Sequence, residues 1–507
     1  MPSEVAPSMA SPPSTPRRKS RFAGDVLKLV GGTTLAQAIT VLTAPVLARL
    51  YSPAVIGTQA VLASLVGILT AIVCLRYEFA ILLPKSDEEA ANVVATAFLS
   101  ALFVSSIAAL TLVPNQDHVA KLLRAPELGA FIWLVPIALL EQGIFQIMNY
   151  WNSRMKHFGR LSIARVAASA TTSTFQLGLA AIGKATLGSL TGAWIAGTSV
   201  FTGTLTAQVL REAWPLFRQN IHWAQIRTSL GRYRKFPLVD LWGGLINTIS
   251  WQLPTLMLSA FFSQTIVGYY SLSNRVILLP MTLVGGAIAQ VFFQRAAELR
   301  HNPELLRTTV EKVFRWLVAL GLFPALLLTI AGQELFAVVF GENWIEAGRF
   351  AQILGMWVFF LFISSPLSNL FAILERQELA LVVHSAILLT RVCALMIGGL
   401  HKNIYLTLGI WSGTGVLVYG GLSLWNLQLA GASWRKAVFT ILKYGGYALP
   451  LLGILLFCQW RQATHEIIVV MAVLVSGVYY GGLLYRDAEI RDFLLNLGAR
   501  FKPGDKP

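Results

Sequence analysis

Apolar runs of about twenty residues or more recur along the whole chain, separated by short polar links. They fall at 26–49, 56–83, 90–113, 128–150, 161–183, 185–210, 237–262, 266–293, 313–333, 347–373, 379–399, 403–429, 437–458 and 465–485. Each is long enough to cross a hydrocarbon core of about 30 Å as a helix. The pattern predicts an all-α polytopic membrane protein of about fourteen spans, with twelve or thirteen if the closely spaced pair at 161–210 is divided differently. A faint repeat supports two six-helix lobes around a central cavity plus two C-terminal helices. The stretches RLYSPAVIGTQAVLAS (Arg49 to Ser64) and AFFSQTIVGYYSLSNR (Ala260 to Arg275) align Tyr51 with Phe262, Ser52 with Ser263 and Gly57 with Gly268. Both copies run in the same direction across the membrane, as a parallel repeat about an axis along its normal would.

This organisation divides the chain into a disordered basic tail (1–24), a first lobe (25–210), a basic linker (211–236), a second lobe (237–430), two further helices (431–485) and a tail (486–507). Lys and Arg set the expected orientation. One set of links carries Arg154, Lys156 and Arg160, then Arg211 to Lys235, then Arg295 to Arg315, and then Arg435 and Lys436. The other set holds only Arg49, Lys121, Arg124, Lys184, Arg349, Lys402 and Arg461. Both termini are therefore expected in the cytoplasm. Composition agrees: 55% of the 507 residues are hydrophobic and only 13% charged, against about 25% charged in soluble domains. The net charge of +16 is spread through short links, which argues against nucleic-acid binding. Cys74, Cys393 and Cys458 sit in apolar runs without metal-ligand spacing, and the sequence implies no metal or organic cofactor.

Chemistry concentrates between Gly231 and Glu298. The basic run GRYRKFP leads into two apolar segments that contain Pro254 and Pro280, read as interruptions, and the second segment carries Arg275. A cation at that depth costs about 3 kcal/mol or more unless a partner or a water-filled cavity receives it. Glu141 and Arg391 lie at similar depth, and Asn274 adjoins Arg275. These four are the candidate cavity residues, because Arg offers an anionic phosphate a planar, permanently charged fork. The alternative is that each charge is paired between helices for structural reasons. Arg76, Glu78, Asp240 and His384, nearer the cytoplasmic ends, are gate or coupling candidates; snorkelling and interfacial pairing are their bland explanation. Neither GxxxxGK[ST] nor HExxH occurs, so no enzyme activity is expected.

The segments LARLYSPAVIGTQAVLAS, CLRYEFAILLPKSDEEAANV, YWNSRMKHFG, SSPLSNLFAILERQELAL and the block from Tyr233 to Glu298 resemble the Wzx-type oligosaccharide flippases of the bacterial polysaccharide biosynthesis family. The resemblance implies the fold of the multidrug/oligosaccharidyl-lipid/polysaccharide exporter superfamily. It implies movement of an undecaprenyl-pyrophosphate-linked oligosaccharide between leaflets of the bacterial inner membrane by alternating access. It further implies membrane lipids and the polymerase and chain-length proteins of the same assembly as partners. The energy would come from a proton or sodium gradient or from the membrane potential. Carried over, the pyrophosphate-holding cation is Arg275, within SLSNRVILLP, and more loosely Arg391. The first helix has Gly31, Gly32, Thr33 and Gln37 where some relatives carry arginines. A cation-coupled multidrug exporter, which would want an acidic cavity, and a membrane-embedded polymerase or ligase, which would want a larger outer loop, are the alternatives.

Overall fold

A computed structural model describes residues 17–492. Helix α1 (Arg17–Leu50) starts directly after Pro16, the last proline of the N-terminal stretch, so Arg17 to Gly24 is helical and not part of a disordered tail. Residues 1–16 and 493–507, the remainder of the two expected tails, lie outside the described residues. There follow α2 (Pro53–Thr70), α3 (Asp87–Leu112), α4 (Leu134–Arg154), α5 (Phe158–Ala181) and α6 (Leu187–Asn220). The second half holds α7 (Leu241–Phe261), α8 (Gln264–Ile277), α9 (Gly286–Glu298), α10 (Pro303–Phe340), α11 (Ile345–Leu367), α12 (Gln377–Leu400) and α13 (Ile404–Leu429). The last two are α14 (Trp434–Trp460) and α15 (His465–Arg486).

Every apolar run thus contains helix, the eighth in two pieces. Among the described residues, eight helical stretches are long and apolar enough to cross a membrane on those grounds alone. The chain is a multi-pass membrane protein. Helices α4 to α9 and α13 fall short of that threshold; α4 to α8 carry Glu141, Arg165, Thr198, Gln252 and Arg275, polar groups that belong inside a bundle.

Two breaks differ from the sequence reading. The second run ends as helix at Thr70. Leu75 and Arg76 then adopt left-handed backbone (φ 51° and 67°) before a single turn, Tyr77–Ala80. Pro254 lies inside an unbroken α7 and interrupts nothing, whereas Pro280 does mark a break, a π-turn at Met281–Gly285. A proline lacks the N–H that would bond the carbonyl four residues back. For Pro254 that carbonyl is Ser250, and Arg391 Nη1 donates to it from α12. The same repair recurs at Pro324 in α10, where Tyr480 Oη donates to the Leu320 carbonyl at 3.0 Å. At the kink of α10 around Ala331, the Ile330 carbonyl accepts from both Gln352 and Gln459, at 2.8 and 3.0 Å. Neighbouring helices satisfy the freed groups, as breaks at membrane depth require.

Apart from α2 and α8, which pack chiefly across the two halves, helices α1 to α6 pack mainly among themselves and so do α7 to α13, while α14 and α15 pack along α10. The two halves meet chiefly where α2 crosses α7 and α8. There the repeat becomes structural: Ser52 caps α2 and Ser263 caps α8 by accepting the N–H three residues on. A Cβ on Gly57 would stand 1.8 Å from the Gln264 carbonyl oxygen, and one on Gly268 1.9 Å from that of Pro53. Only glycine permits this reciprocal approach.

Candidate functional site

The end of the molecule bearing the α1–α2 and α7–α8 turns is closed. Besides the glycine crossing, Arg49 Nη2 donates to the Val338 carbonyl and Trp344 Nε1 to that of Ala48, both at 2.6 Å. Arg124 donates to Phe261, and Gln264 to Leu123 and Arg124, all at 3.1 Å. These bonds all join the first half to the second.

Arg275 sits below this closure. Positions seven apart share a helix face, so Gly268 and Arg275 of α8 point the same way, and Gly268 points at the other half. Two turns on from that crossing, about 10 Å along the axis, Arg275 is exposed. No described residue gives it a hydrogen bond or an ion pair. At Thr282 the halves meet again, through Gln37 of α1 at 3.4 Å. Arg275 therefore lies on the side of α8 directed at the other half, with inter-half contacts before and after it in the chain. The adjacent Asn274 has a buried Oδ1 without a donor.

The first half supplies a cation that the sequence reading missed. Arg165, partly buried in α5, donates to Thr33 Oγ1 at 2.9 Å, one turn from Gln37. An Arg four residues inside the fifth apolar run was the available signal. Glu141 accepts from Thr198 at 2.9 Å, holding α4 to α6, and its Oε1 is buried without a donor. It stands apart from Arg275 and Arg391, neither of which it contacts.

Arg391 is bound structurally, as the pairing alternative anticipates. It is 3% exposed, donates to the Ser250 carbonyl and at 3.2 Å to Ser250 Oγ, and lies 5.3, 6.0 and 5.5 Å from the ring centres of Trp251, Trp357 and Trp411. It also borders a cavity of about 580 Å³ within the second half, which His384 lines as well.

The other gate candidates gather at the basic end. Arg76 Nε lies 3.7 Å from Asp240 Oδ2 and its guanidinium 5.1 Å from the centre of the Phe79 ring. It fills the space a side chain at position 244 would need, since a Cβ on Gly244 would meet Arg76 Nη2 at 1.2 Å. The pair links the first half to the second. Glu78 is 2% exposed, with Oε2 lacking a donor.

Similarity to known proteins agrees with this geometry. A family described as "Polysaccharide biosynthesis protein" matches residues 46–349. The chain belongs to that family. It is 26% identical over 156 residues to the Escherichia coli (strain K12) lipopolysaccharide biosynthesis protein WzxC, covering 31% of this chain and 32% of that protein. It is 23% identical over 315 residues to the Rhizobium meliloti (strain 1021) succinoglycan biosynthesis transport protein ExoT, covering 60% of each. The matches thus span about a third of the first relative's length and under two thirds of the second's. Two solved structures share the fold of this family member. They are the lipid II flippase MurJ in an inward closed conformation (TM-score 0.72, 10% identity, 90% of this chain and 99% of that one) and an inward-facing MATE-family multidrug resistance transporter (TM-score 0.62, 13% identity, 80% and 98%). ExoT and the two solved structures are named as transporters or a flippase, and none of these relatives is named as an enzyme.

Proposed function

We propose that this protein is a flippase that carries an undecaprenyl-pyrophosphate-linked oligosaccharide from the cytoplasmic to the periplasmic leaflet of the bacterial inner membrane for surface-polysaccharide synthesis. The observation that carries the reading is Arg275: a permanent cation at membrane depth, on the face of α8 directed at the other half, with no counter-charge among the described residues. A pyrophosphate passing between the halves supplies that charge, with bidentate bonds to the guanidinium. Membership of a polysaccharide biosynthesis family and the fold shared with a lipid II flippase support the same substrate class. The basic end is placed in the cytoplasm by its Lys and Arg, so the closed end faces the periplasm and the conformation is loaded from inside. Asn274 adjoins the pyrophosphate, and Arg76, Glu78, Asp240 and His384 act in gating or coupling. A proton or sodium gradient or the membrane potential drives the cycle, and the product passes to the polymerase and its chain-length partner.

The test is leaflet accessibility of the lipid-linked repeat unit in spheroplasts, read with a membrane-impermeant glycan probe. Cells lacking the protein should lose outer-leaflet label while the unit accumulates inside. Arg275→Ala at normal membrane abundance should reproduce the loss, and Arg275→Lys should restore part of it. Unchanged label with lost polymer would move the function downstream, to polymerisation or ligation. The multidrug-exporter reading shared with the MATE fold predicts that Glu141→Gln, and not Arg275→Ala, abolishes activity, measured as drug efflux.

A further inference from the structure

The cavity beside Arg391 has a chemistry that phosphate binding does not use. Its volume of about 580 Å³ lies within the range of small-ligand sites, about 300–1,000 Å³. Its wall combines Asn247, Trp251, Ser365, Ser368, Asn369 and His384 with Arg391, and includes no carboxylate. Ser364 and Ser368 give their own protons to backbone carbonyls, at 3.2 and 2.9 Å, which leaves their oxygens as acceptors. The amides of Asn247 and Asn369 each bring a donor and an acceptor. Trp251 is 39% exposed, and that exposed ring borders the cavity, with the Arg391 guanidinium over it. Arg391 is buried, yet its Nε has no acceptor: an orphan donor at the border of a polar cavity.

Such a lining suits neither a cationic drug, which wants acid groups, nor a second phosphate, since the one cation is already committed to Ser250. An aromatic face set among hydroxyls and amides suits a sugar ring, whose C–H face stacks while its hydroxyls exchange hydrogen bonds. Met281, in the π-turn six residues after Arg275, also lines the cavity. The cavity therefore begins just past the C-terminal end of the helix that carries Arg275.

We propose that this cavity is the glycan subsite: a pyranose of the lipid-linked oligosaccharide stacks on Trp251 and bonds Asn369 and its serine neighbours, while Arg275 holds the pyrophosphate. The inference rests on the flippase reading above. Its test uses the full-length protein in lipid nanodiscs and two probes, undecaprenyl pyrophosphate without sugar and the lipid-linked repeat unit extracted from cells lacking this protein. Trp251→Leu and Asn369→Ala should each weaken the glycan-bearing lipid about tenfold, the loss of one stacking or hydrogen-bonding contact of about 1.4 kcal/mol. Binding of the sugar-free lipid should stay unchanged. Arg275→Ala should weaken both. If both cavity variants keep their melting temperature and either leave the glycan-bearing lipid untouched or weaken both lipids alike, the subsite is wrong while the flippase reading stands. A wild-type protein that binds neither lipid would overturn both.

Discussion

Arg391 and Pro254 illustrate how a single residue earns a place in a membrane interior. Pro254 removes a helical donor, Ser250 is left with an open carbonyl, and Arg391 reaches across from α12 to fill it. Removing that donor leaves a buried carbonyl unpaired, at a cost of about 1–3 kcal/mol. Arg391→Ala should lower thermal stability in nanodiscs accordingly, and Pro254→Ala in the same chain, by restoring the N–H, should recover most of the loss. Failure of that rescue would mean that the guanidinium is held for another reason. Gly57 and Gly268 make the complementary point about space. Alanine at either position places a methyl against a backbone carbonyl of the other half, and overpacking of this kind costs about 1–3 kcal/mol. Spin labels on the two halves near the α1–α2 and α7–α8 turns should report a longer distance in Gly57→Ala and Gly268→Ala than in the wild type. An unchanged distance would show that the crossing is not what keeps this end shut.

At the scale of elements, α10 anchors the last two helices. Tyr479 and Tyr480 of α15 donate to the Ala319 and Leu320 carbonyls at 2.9 and 3.0 Å, and the Tyr479 ring stacks on Phe323 with centres 4.4 Å apart. The Leu320 carbonyl is the one freed by Pro324, so Tyr480→Phe should cost about 1 kcal/mol, whereas Phe at an exposed tyrosine such as Tyr485 should cost nothing measurable. Beyond the end of α15, Glu489 accepts from Lys312 at 2.8 Å and also from Arg315. The Lys312 hydrogen bond, with help from both positive charges, holds its carboxyl below the ordinary carboxylate value. A depressed folded value means that the attachment contributes stability above about pH 4.3, the unperturbed glutamate value, and loses it as pH falls through the lowered one. The pair is half exposed, so its worth is below about 1 kcal/mol. Glu489→Gln should remove this part of the pH dependence, which proteolysis of the C-terminal segment at pH 7 and pH 4 would detect. Equal pH sensitivity in the wild type and the variant would exclude the role.

The whole molecule is asymmetric along the membrane normal in two ways: its charge lies at one end and its tight inter-half closure at the other. The proposed orientation rests on the first. With Cys74, Cys393 and Cys458 replaced, a cysteine at Lys402 should react with an impermeant maleimide on intact spheroplasts, and one at Arg211 only after permeabilisation. The opposite pattern would invert the membrane and with it the direction of transport. At the basic end, the Arg76–Asp240 pair is the contact that must part if substrate enters there.

The amino-acid sequence by itself determined where the helices lie, because twenty-residue apolar runs and serine caps act locally. It also determined the charge asymmetry, and through the Ser-Gly repeat it marked the equivalent turns of the two six-helix lobes; that those turns cross each other was decided by the tertiary structure. The candidate site was legible only as positions. Arg275, Arg391 and Glu141 stood out as charges at membrane depth, but their depths are alike and their surroundings are not. Tertiary packing decided that Arg391 satisfies a proline-freed carbonyl, that Glu141 is held by Thr198, that Arg165 reaches Thr33 and that Arg275 has no hydrogen bond or ion pair among the described residues. It also decided that Pro254 bends no helix out of register while Pro280 gives way to a π-turn. Partnership between helices depends on which faces meet across the bundle, and helical periodicity in one segment carries no information about its neighbour.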